Sequence, residues 1–254
     1  MATILRSLKF IKPFKNNLTY KKISTSNSNS RYHLRIAFPE NFQKVFIFML
    51  ETYFKTEPTI VSLGLVGKSL PILMSLMQQH ISQGLTIIAE DSLTGCIAGA
   101  AVNTKSVNGD LQNLTQLINC SSDDDPSREL LKFYAYCSRK ANVSRLTDKN
   151  VAFECSYVAV HPDHQRQSLG KRVIAESWIL AQELGFDLFK IDCTSRFTAN
   201  IAEKFGWTCI ETISYRDYRE DGNIVFHNVQ PPHTEMKIYV DDVIYLGGYC
   251  SERI

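Results

Sequence analysis

The chain has 254 residues, of which 44% are hydrophobic and 21% are charged, and such a composition is ordinary for a globular protein with a buried core. No apolar run approaches the roughly eighteen residues that a membrane span needs, which excludes a transmembrane helix. Residues 1–39 carry eight Lys or Arg and no acid, so the rest has a net charge of −6, which gives a nucleic-acid-binding surface no support.

The seven cysteines are odd in number, scattered, and without a C-x-x-C pair. They indicate free thiols in a reducing compartment, with neither a disulfide framework nor a metal site. We therefore expect a cytoplasmic protein. Residues 1–31 are basic and rich in Ser and Asn, which is typical of a mitochondrial transit peptide and also of a disordered extension, so a mitochondrial location stays open.

The predicted elements begin with a short strand at residues 32–38. Pro39 opens a helix whose apolar residues recur at spacings of three and four. Pro58 cannot continue that helix, so it ends within "KTEP" and Glu57 is extended. A second helix covers Leu70–Ser82.

The middle of the chain predicts two strands, "TIIAED" and "GCIAGAAV", joined by a turn at "SLTG". Residues 103–126 are rich in Asn, Ser and Asp, so we expect a loop with little to bury. A helix begins near Pro126 and carries apolar side chains through Cys137.

The second half opens with an alternating strand, Val151–Val160. A polar turn, "HPDHQRQSLGKR", leads from it into a helix with apolar residues from Leu169 to Leu184. Strands "DLFKIDC", "TCIETISY" and "TEMKIYV" and a helix "FTANIAEKF" follow. The order indicates an antiparallel front half and one parallel strand–helix–strand unit.

The polar turn is the first candidate site. Backbone N–H groups from Gln165 to Lys171 lie at a helix N-terminus, where they form an anion site with Arg166, Lys171 and Arg172 nearby. The glycine spacings of a Walker A loop and of a dinucleotide fingerprint are absent. An ordinary strand–helix connection with solvated charges is the alternative.

The turn resembles the acetyl-CoA signature of the GNAT superfamily of N-acetyltransferases, [Q/R]-x-x-G-x-[G/A] after a strand, with Ser168 in place of the first glycine. If that position needs a positive φ, serine costs about 1 kcal/mol there. The resemblance implies that acetyl-CoA is bound by Gln165, Arg166, Gln167, Ser168, Leu169, Gly170 and Lys171, with Val158 and Val160 facing the pantetheine arm.

Three other stretches are similar to insect-type arylalkylamine N-acetyltransferases. "FKTEPTI" resembles "F-K-D-E-P-L", "CTSRFTANIAEKFGW" resembles "C-S-S-x-Y-S-A-x-x-x-E-K-L-G-F", and "DYREDGNIVF" resembles "D-Y-x-x-x-G-x-x-V-F". The resemblance implies that Glu57 is the catalytic base and that Thr194 and Thr198 replace two catalytic serines. Ser195 joins the coenzyme-binding set, although Thr194 or Ser195 could instead cap a helix. Phe197 stands where the motif has tyrosine, so that hydroxyl is missing.

These implications define the expected protein. We expect one GNAT-type α/β domain at residues 32–243, followed by a tail at 244–254. Its mixed, mostly antiparallel sheet of about seven strands is flanked by helices and splayed near Val160. A monomer would acetylate a small-molecule primary amine, such as dopamine, serotonin or tryptamine. A non-catalytic acyl-CoA-binding protein and an enzyme for polyamines are the alternatives.

Overall fold

The computed structural model describes residues 30–107, 110–122, 124–147 and 149–243. A seven-stranded sheet forms the centre of this part, with its strands in the order first, second, third, fourth, fifth, ninth and sixth. The strands are β1 (Tyr32–Ile36), β2 (Ile87–Asp91), β3 (Ile97–Val107), β4 (Val151–Val160), β5 (Leu188–Cys193), β6 (Thr208–Ser214), β7 (Arg219–Glu220), β8 (Asn223–Ile224) and β9 (Glu235–Asp242). Within the sheet only β4 and β5 pair in parallel, so the predicted mostly antiparallel sheet is confirmed.

Helices cover both faces of the sheet. They are α1 (Phe42–Glu51), α2 (Tyr53–Thr56), α3 (Pro58–Ser62), α4 (Pro71–Ile81), α5 (Asp110–Cys120), α6 (Arg128–Ala141), α7 (Val143–Thr147), α8 (Leu169–Glu183) and α9 (Arg196–Phe205). Apolar residues of α8 and α9 form one core with one face of the sheet. On the other face, α1 and α4 pack over β2 to β4, and α3, α5 and α6 pack beside β6 and β9.

The first predicted helix is interrupted. The backbone departs from helical geometry at Thr52 (φ −115°), whose hydroxyl donates to the Phe48 carbonyl at 2.6 Å, and this break separates α1 from α2. The end at the proline is confirmed, because Glu57 is extended (φ −65°, ψ 126°) and Pro58 begins α3.

The loop predicted for residues 103–126 is wrong. Strand β3 continues to Val107, and α5 follows. The stretch was predicted as a loop because most of its residues are polar. Its apolar residues Leu111, Leu114 and Ile118 are spaced three and four apart, which places them on one side of α5. That side packs against the core cluster that contains α6, so the helix depends on a tertiary partner.

The sheet opens between β4 and β5. The two strands pair only from Phe153 to Cys155, opposite Phe189 to Ile191, and β4 continues to Val160 without that neighbour. A bulge opposite Val102 and Asn103 interrupts the pairing of β4 with β3 at the same level. The predicted splay near Val160 is therefore present.

The predicted extension, residues 1–31, lies outside the described residues except for Ser30 and Arg31, and the tail lies wholly outside. Arg31 forms an ion pair with Asp91 at 2.7 Å. Across the described ranges, no helix has both the length and the apolar character to cross a membrane. In the same part of the chain, no group of three or more His, Cys, Asp or Glu side chains could hold a metal ion.

Candidate active site

The turn after β4 has two residues in left-handed backbone geometry. Arg166 has φ 58° and Ser168 has φ 59°, and α8 begins at the next residue. The Arg172 N–H donates to the Ser168 carbonyl at 3.0 Å, which leaves the amides of Leu169, Gly170 and Lys171 without an acceptor inside the helix. Amides in a left-handed turn at a helix N-terminus suit an anion.

The side chains around this turn have separate roles. The Leu169 side chain is 1% exposed in the core, so only its amide faces the turn. The Gln167 side chain accepts a hydrogen bond from the Tyr32 hydroxyl at 2.8 Å. Lys171 lies over the Phe205 ring, with its ammonium nitrogen 5.3 Å from the ring centroid.

Two of the three predicted cations have other partners. The Arg172 guanidinium donates to the Tyr32 carbonyl at 3.2 Å and to the Ser30 hydroxyl at 3.3 Å, so it anchors the start of β1. Lys171 stacks on an aromatic ring, whereas Gln165 and Arg166 are exposed. The backbone amides therefore dominate the candidate anion site.

Val158 and Val160 lie on β4 beyond its last pair with β5. Both are half-buried and pack against the core under α8. This stretch of β4 has a backbone edge facing the gap in the sheet, where a ligand could add hydrogen bonds.

Glu57 is a buried carboxylate, with only 3% of its surface exposed. As the N-cap of α3, its Oε2 accepts from the Ile60 N–H at 2.7 Å and from the Thr59 hydroxyl at 2.5 Å. Its Oε1 is buried and has no hydrogen-bond partner among the residues that the structure describes. The two oxygens of one carboxylate are thus inequivalent.

Burial raises the pKa of Glu57, because a charged carboxylate loses hydration there. Hydrogen bonds from Thr59 and Ile60 lower this pKa and offset part of the increase, and Thr194 contributes a smaller lowering effect. Thr194 lies near Glu57, but it makes no hydrogen bond of normal geometry to Oε1. The net direction is upward, towards the range useful for a general base.

Three tyrosines, Tyr53, Tyr134 and Tyr215, interact with the charge of this carboxylate. Tyr53 packs edge-on against Tyr157 of β4, with ring centroids 5.3 Å apart. The Tyr134 hydroxyl lies 3.2 Å from the Thr59 hydroxyl, and the Tyr215 hydroxyl donates to the Thr194 carbonyl at 2.6 Å. These contacts join α2, α3, α6, β4, β6 and the end of β5 around Glu57.

The three candidate hydroxyls differ in position. Ser195 is the N-cap of α9 and accepts from the Phe197 N–H at 3.1 Å, so the helix-capping alternative is the observed contact. Thr194 is the residue brought close to Glu57. Thr198 is half-buried in the first turn of α9, and Phe197 is 63% exposed with its ring against His233.

Sequence reasoning missed Thr59, Tyr157 and Tyr215. Thr59 follows a glutamate–proline pair at the start of a helix, where a hydroxyl often bonds locally, and this signal could have found it. The two tyrosines alternate along strands like core residues, so nothing local distinguishes them. Only the packing of strands and helices places them near Glu57.

No known protein-family model matches the sequence. Among solved structures, a mosquito arylalkylamine N-acetyltransferase-like 5b protein is similar over 83% of this chain and 99% of its own, with 24% identity and a TM-score of 0.77. Arylalkylamine N-acetyltransferase 2 from Aedes aegypti is similar over 85% and 100%, with 24% identity and a TM-score of 0.78. A Drosophila melanogaster polyamine N-acetyltransferase is similar over 83% and 99%, with 17% identity and a TM-score of 0.72. The chain therefore has the GNAT acetyltransferase fold, as its motifs predicted.

Proposed function

We propose that the chain is an acetyl-CoA-dependent N-acetyltransferase that acetylates a primary arylalkylamine such as dopamine, serotonin or tryptamine. One observation carries the proposal. Glu57 is a buried carboxylate whose Oε2 accepts two hydrogen bonds while its Oε1 has none. It lies near Thr194, the residue that follows β5 where the sheet opens. That is a suitable place for a base to meet a nucleophile.

The turn before α8 supports the coenzyme part of the proposal. The amides from Gln165 to Lys171 would bind the pyrophosphate, and Val158 and Val160 would contact the pantetheine arm. Acetyl-CoA would supply an acetyl thioester. Backbone N–H groups on the part of β4 that lacks β5 as a neighbour are the candidate donors for the oxyanion formed at the thioester carbonyl.

Proton removal is the chemistry that Glu57 would perform. A primary alkylamine has a pKa near that of lysine, about 10.4, so it arrives protonated at neutral pH and cannot attack. Glu57 Oε1 would accept that proton, directly or through water, and the nitrogen lone pair would then form the amide bond. The carbon–sulfur bond would break as coenzyme A leaves as a thiolate.

The leaving thiolate has a pKa near 8.5, so it needs only modest help from an acid. Thr194 is the candidate donor because it lies near Glu57, and Thr198 is the second candidate from the family motif. Phe197 has no hydroxyl to offer. Catalysis would therefore depend mainly on the base and on the oxyanion donors.

The aromatic side chains near Glu57 support an aryl acceptor. Tyr53 and Tyr134 are half-buried and interact with the charge of Glu57, and Tyr157 packs edge-on against Tyr53. Agmatine and polyamine acetyltransferases are also structural neighbours, which supports polyamines as the competing acceptor class. A purely binding protein would have no use for a buried glutamate with an unpartnered oxygen.

The deciding experiment measures thiol release from acetyl-CoA with dopamine, serotonin, tryptamine, agmatine and spermidine. We expect the highest kcat/KM with one of the three arylalkylamines. Glu57→Gln serves as the negative control in every assay. A higher kcat/KM with agmatine or spermidine would show that the acceptor is a polyamine and not an arylalkylamine. Coenzyme binding without turnover of any amine would support a non-catalytic acyl-CoA-binding protein.

A further inference from the structure

Thr59 lies beside the candidate base, and the family motif has a different residue at its position. The signature "F-K-D-E-P-L" ends in leucine where this chain has Thr59. The side chain is fully buried. A buried hydroxyl without a partner would be destabilising, so its contacts identify its role.

Counting the available protons shows which hydroxyl donates in each contact around Thr59. The Thr59 hydroxyl has one proton, which it donates to Glu57 Oε2 at 2.5 Å. When Glu57 is ionised, the single Thr59 proton points to Oε2, so the Tyr134 hydroxyl, 3.2 Å from the Thr59 oxygen, is the donor in that second contact. A directed chain runs from Tyr134 through Thr59 to Oε2.

The chain of donors fixes the orientation of the carboxylate. Oε2 accepts from Thr59 and from the Ile60 amide, so rotation of the carboxylate would break two hydrogen bonds. Oε1 keeps its lone pairs free although it is buried. Leucine at position 59 could pack there but could not donate to Oε2.

We propose that Thr59, supported by Tyr134, is a positioning residue that holds Glu57 Oε2 and so presents Oε1 as the proton acceptor. This inference rests on the proposed function, because it assigns an atom within the same reaction. The alternative is that the Thr59 hydroxyl only stabilises the start of α3.

The titratable groups that face Glu57 are phenols. Tyr53, Tyr134 and Tyr215 each interact with its charge, and burial raises the pKa of all three above the ordinary value. They stay neutral from acidic to neutral pH. The acid limb of a pH–rate profile then reports Glu57 and the hydrogen bonds made to it.

The test compares Thr59→Val, which keeps the shape and removes the hydroxyl, with Thr59→Ser, which keeps the hydroxyl. A hydrogen bond to a charged group favours the ionised form, so its loss in Thr59→Val should move the acid limb of kcat/KM upward by about one pH unit. Thr59→Ser should restore the wild-type limb. The KM for acetyl-CoA should be unchanged in both.

The matched control is Thr52→Val. Thr52 is also a buried threonine, 3% exposed, but its hydroxyl donates to the Phe48 carbonyl instead of to Glu57. Loss of the Thr52 hydroxyl should lower the free energy of unfolding without moving the acid limb of the kcat/KM profile. Tyr134→Phe provides a second test should Thr59→Val fail to fold, and it should move the limb in the same direction by a smaller amount.

A measurement independent of turnover separates the two proposals. Carbon-13 labelling of glutamate carboxyls allows the Glu57 titration to be followed by NMR, with Glu57→Gln identifying its signal. An unmoved Glu57 titration in both Thr59→Val and Tyr134→Phe would overturn this inference whatever the activity. A wild-type protein that acetylates none of the amines would instead overturn the proposed function.

Discussion

At the scale of single residues, Glu57 combines a structural and a chemical task. Its Oε2 caps α3, and its Oε1 is the atom available for proton transfer. A cap contributes about 1 kcal/mol to stability, whereas a general base contributes about 10² to 10⁴ in rate. A substitution that keeps the cap and removes the base can separate these contributions.

Glu57→Gln is that substitution, since the glutamine carbonyl can still accept from the Ile60 amide. We expect kcat at pH 7 to fall by about 10² to 10⁴, as measured by thiol release. Raising the pH should recover part of the loss, because more amine arrives neutral. Affinity for acetyl-CoA should hardly change. Nearly full activity at pH 7 would mean that the base lies elsewhere, and lost coenzyme binding would mean that Glu57 mainly supports the fold.

Ser168 has φ 59°, a left-handed conformation in which a side chain costs about 1 to 2 kcal/mol. Glycine removes that cost but adds about 0.5 to 1 kcal/mol of chain entropy in the unfolded state. Ser168→Gly should therefore raise the free energy of unfolding slightly, by less than about 1 kcal/mol in urea titrations. Coenzyme binding should hardly change through strain, because the folded turn already has this φ before the coenzyme binds.

Arg166→Gly is the matched control, since Arg166 has φ 58° two residues earlier. It should show a similar small gain in stability. Weaker coenzyme binding in Ser168→Gly alone would identify the serine hydroxyl as a ligand contact, and a lower free energy of unfolding in both variants would refute the argument from strain.

At the scale of elements, Lys190 links the two strands that separate at the site. Its side chain, 8% exposed, lies 3.1 Å from Glu154 of β4 and 2.9 Å from Asp192 of β5. Burial raises the pKa of Glu154, but the attraction and the hydrogen bond of Lys190, with smaller contributions from Ser106 and His80, together lower that pKa below the ordinary value. Burial raises the pKa of Asp192, and Lys190 opposes the increase.

Lys190→Met would leave two carboxylates unpaired beside the core. We expect the free energy of unfolding at pH 7 to fall by about 3 kcal/mol, because an uncompensated buried charge is costly. Without Lys190 both carboxylates should have raised pKa values, so the loss should shrink as the pH falls and they become protonated. Denaturant unfolding at several pH values measures this dependence.

The control for this prediction is Lys149→Met. Lys149 is 40% exposed and lies 3.6 Å from Asp187, an exposed pair near the same strands. Its loss should change stability by less than about 1 kcal/mol. Equal effects of the two substitutions would show that the ion pairs of Lys190 do not hold β4 to β5.

At the scale of the whole molecule, a coenzyme that binds in the gap of the sheet should raise the stability of the folded protein. Acetyl-CoA at about one hundred times its Kd should add about 2.7 kcal/mol to the stability of the folded state. For a chain of this length the melting temperature should rise by about 5 to 10 °C, measured by calorimetry or dye fluorescence.

Pantetheine, which lacks the pyrophosphate, discriminates between the two parts of the coenzyme site. It should stabilise the protein much less than coenzyme A at equal concentration, because it leaves the amides from Gln165 to Lys171 without their anion. Equal stabilisation by both compounds would show that this turn does not bind the pyrophosphate.

Local chemistry explains which features the sequence predicted correctly. Pro58 has no N–H and clashes with a preceding helical turn, so the chain had to end one helix there and extend Glu57. The alternation of β4 and the apolar spacing of α8 located the turn between them. The family motif then predicted the open sheet, while the anion site at the turn stays a prediction.

The failures share a dependence on distant partners. Helix α5 is polar on most of its surface, and only the cluster around α6 gives Leu111, Leu114 and Ile118 a surface to cover. Arg172 was expected beside the anion site, yet the carbonyl of Tyr32, 140 positions away, accepts its hydrogen bond. Neither contact has a signal within the local sequence.

The sequence by itself determined most of the order of strands and helices, though not α5, and it determined the stop at Pro58 and the choice of Glu57 as candidate base, because these follow from backbone sterics, side-chain periodicity and motif spacing. The two hydrogen bonds to Glu57 Oε2 come from Thr59 and Ile60, two and three residues along the chain, so they are local. Tertiary structure alone decided that Glu57 is buried and that the Tyr134 hydroxyl, 75 positions from Thr59, lies 3.2 Å from the Thr59 hydroxyl. A hydrogen bond depends on distances of about 3 Å and on direction, and only the packing of α6 against α3 establishes both.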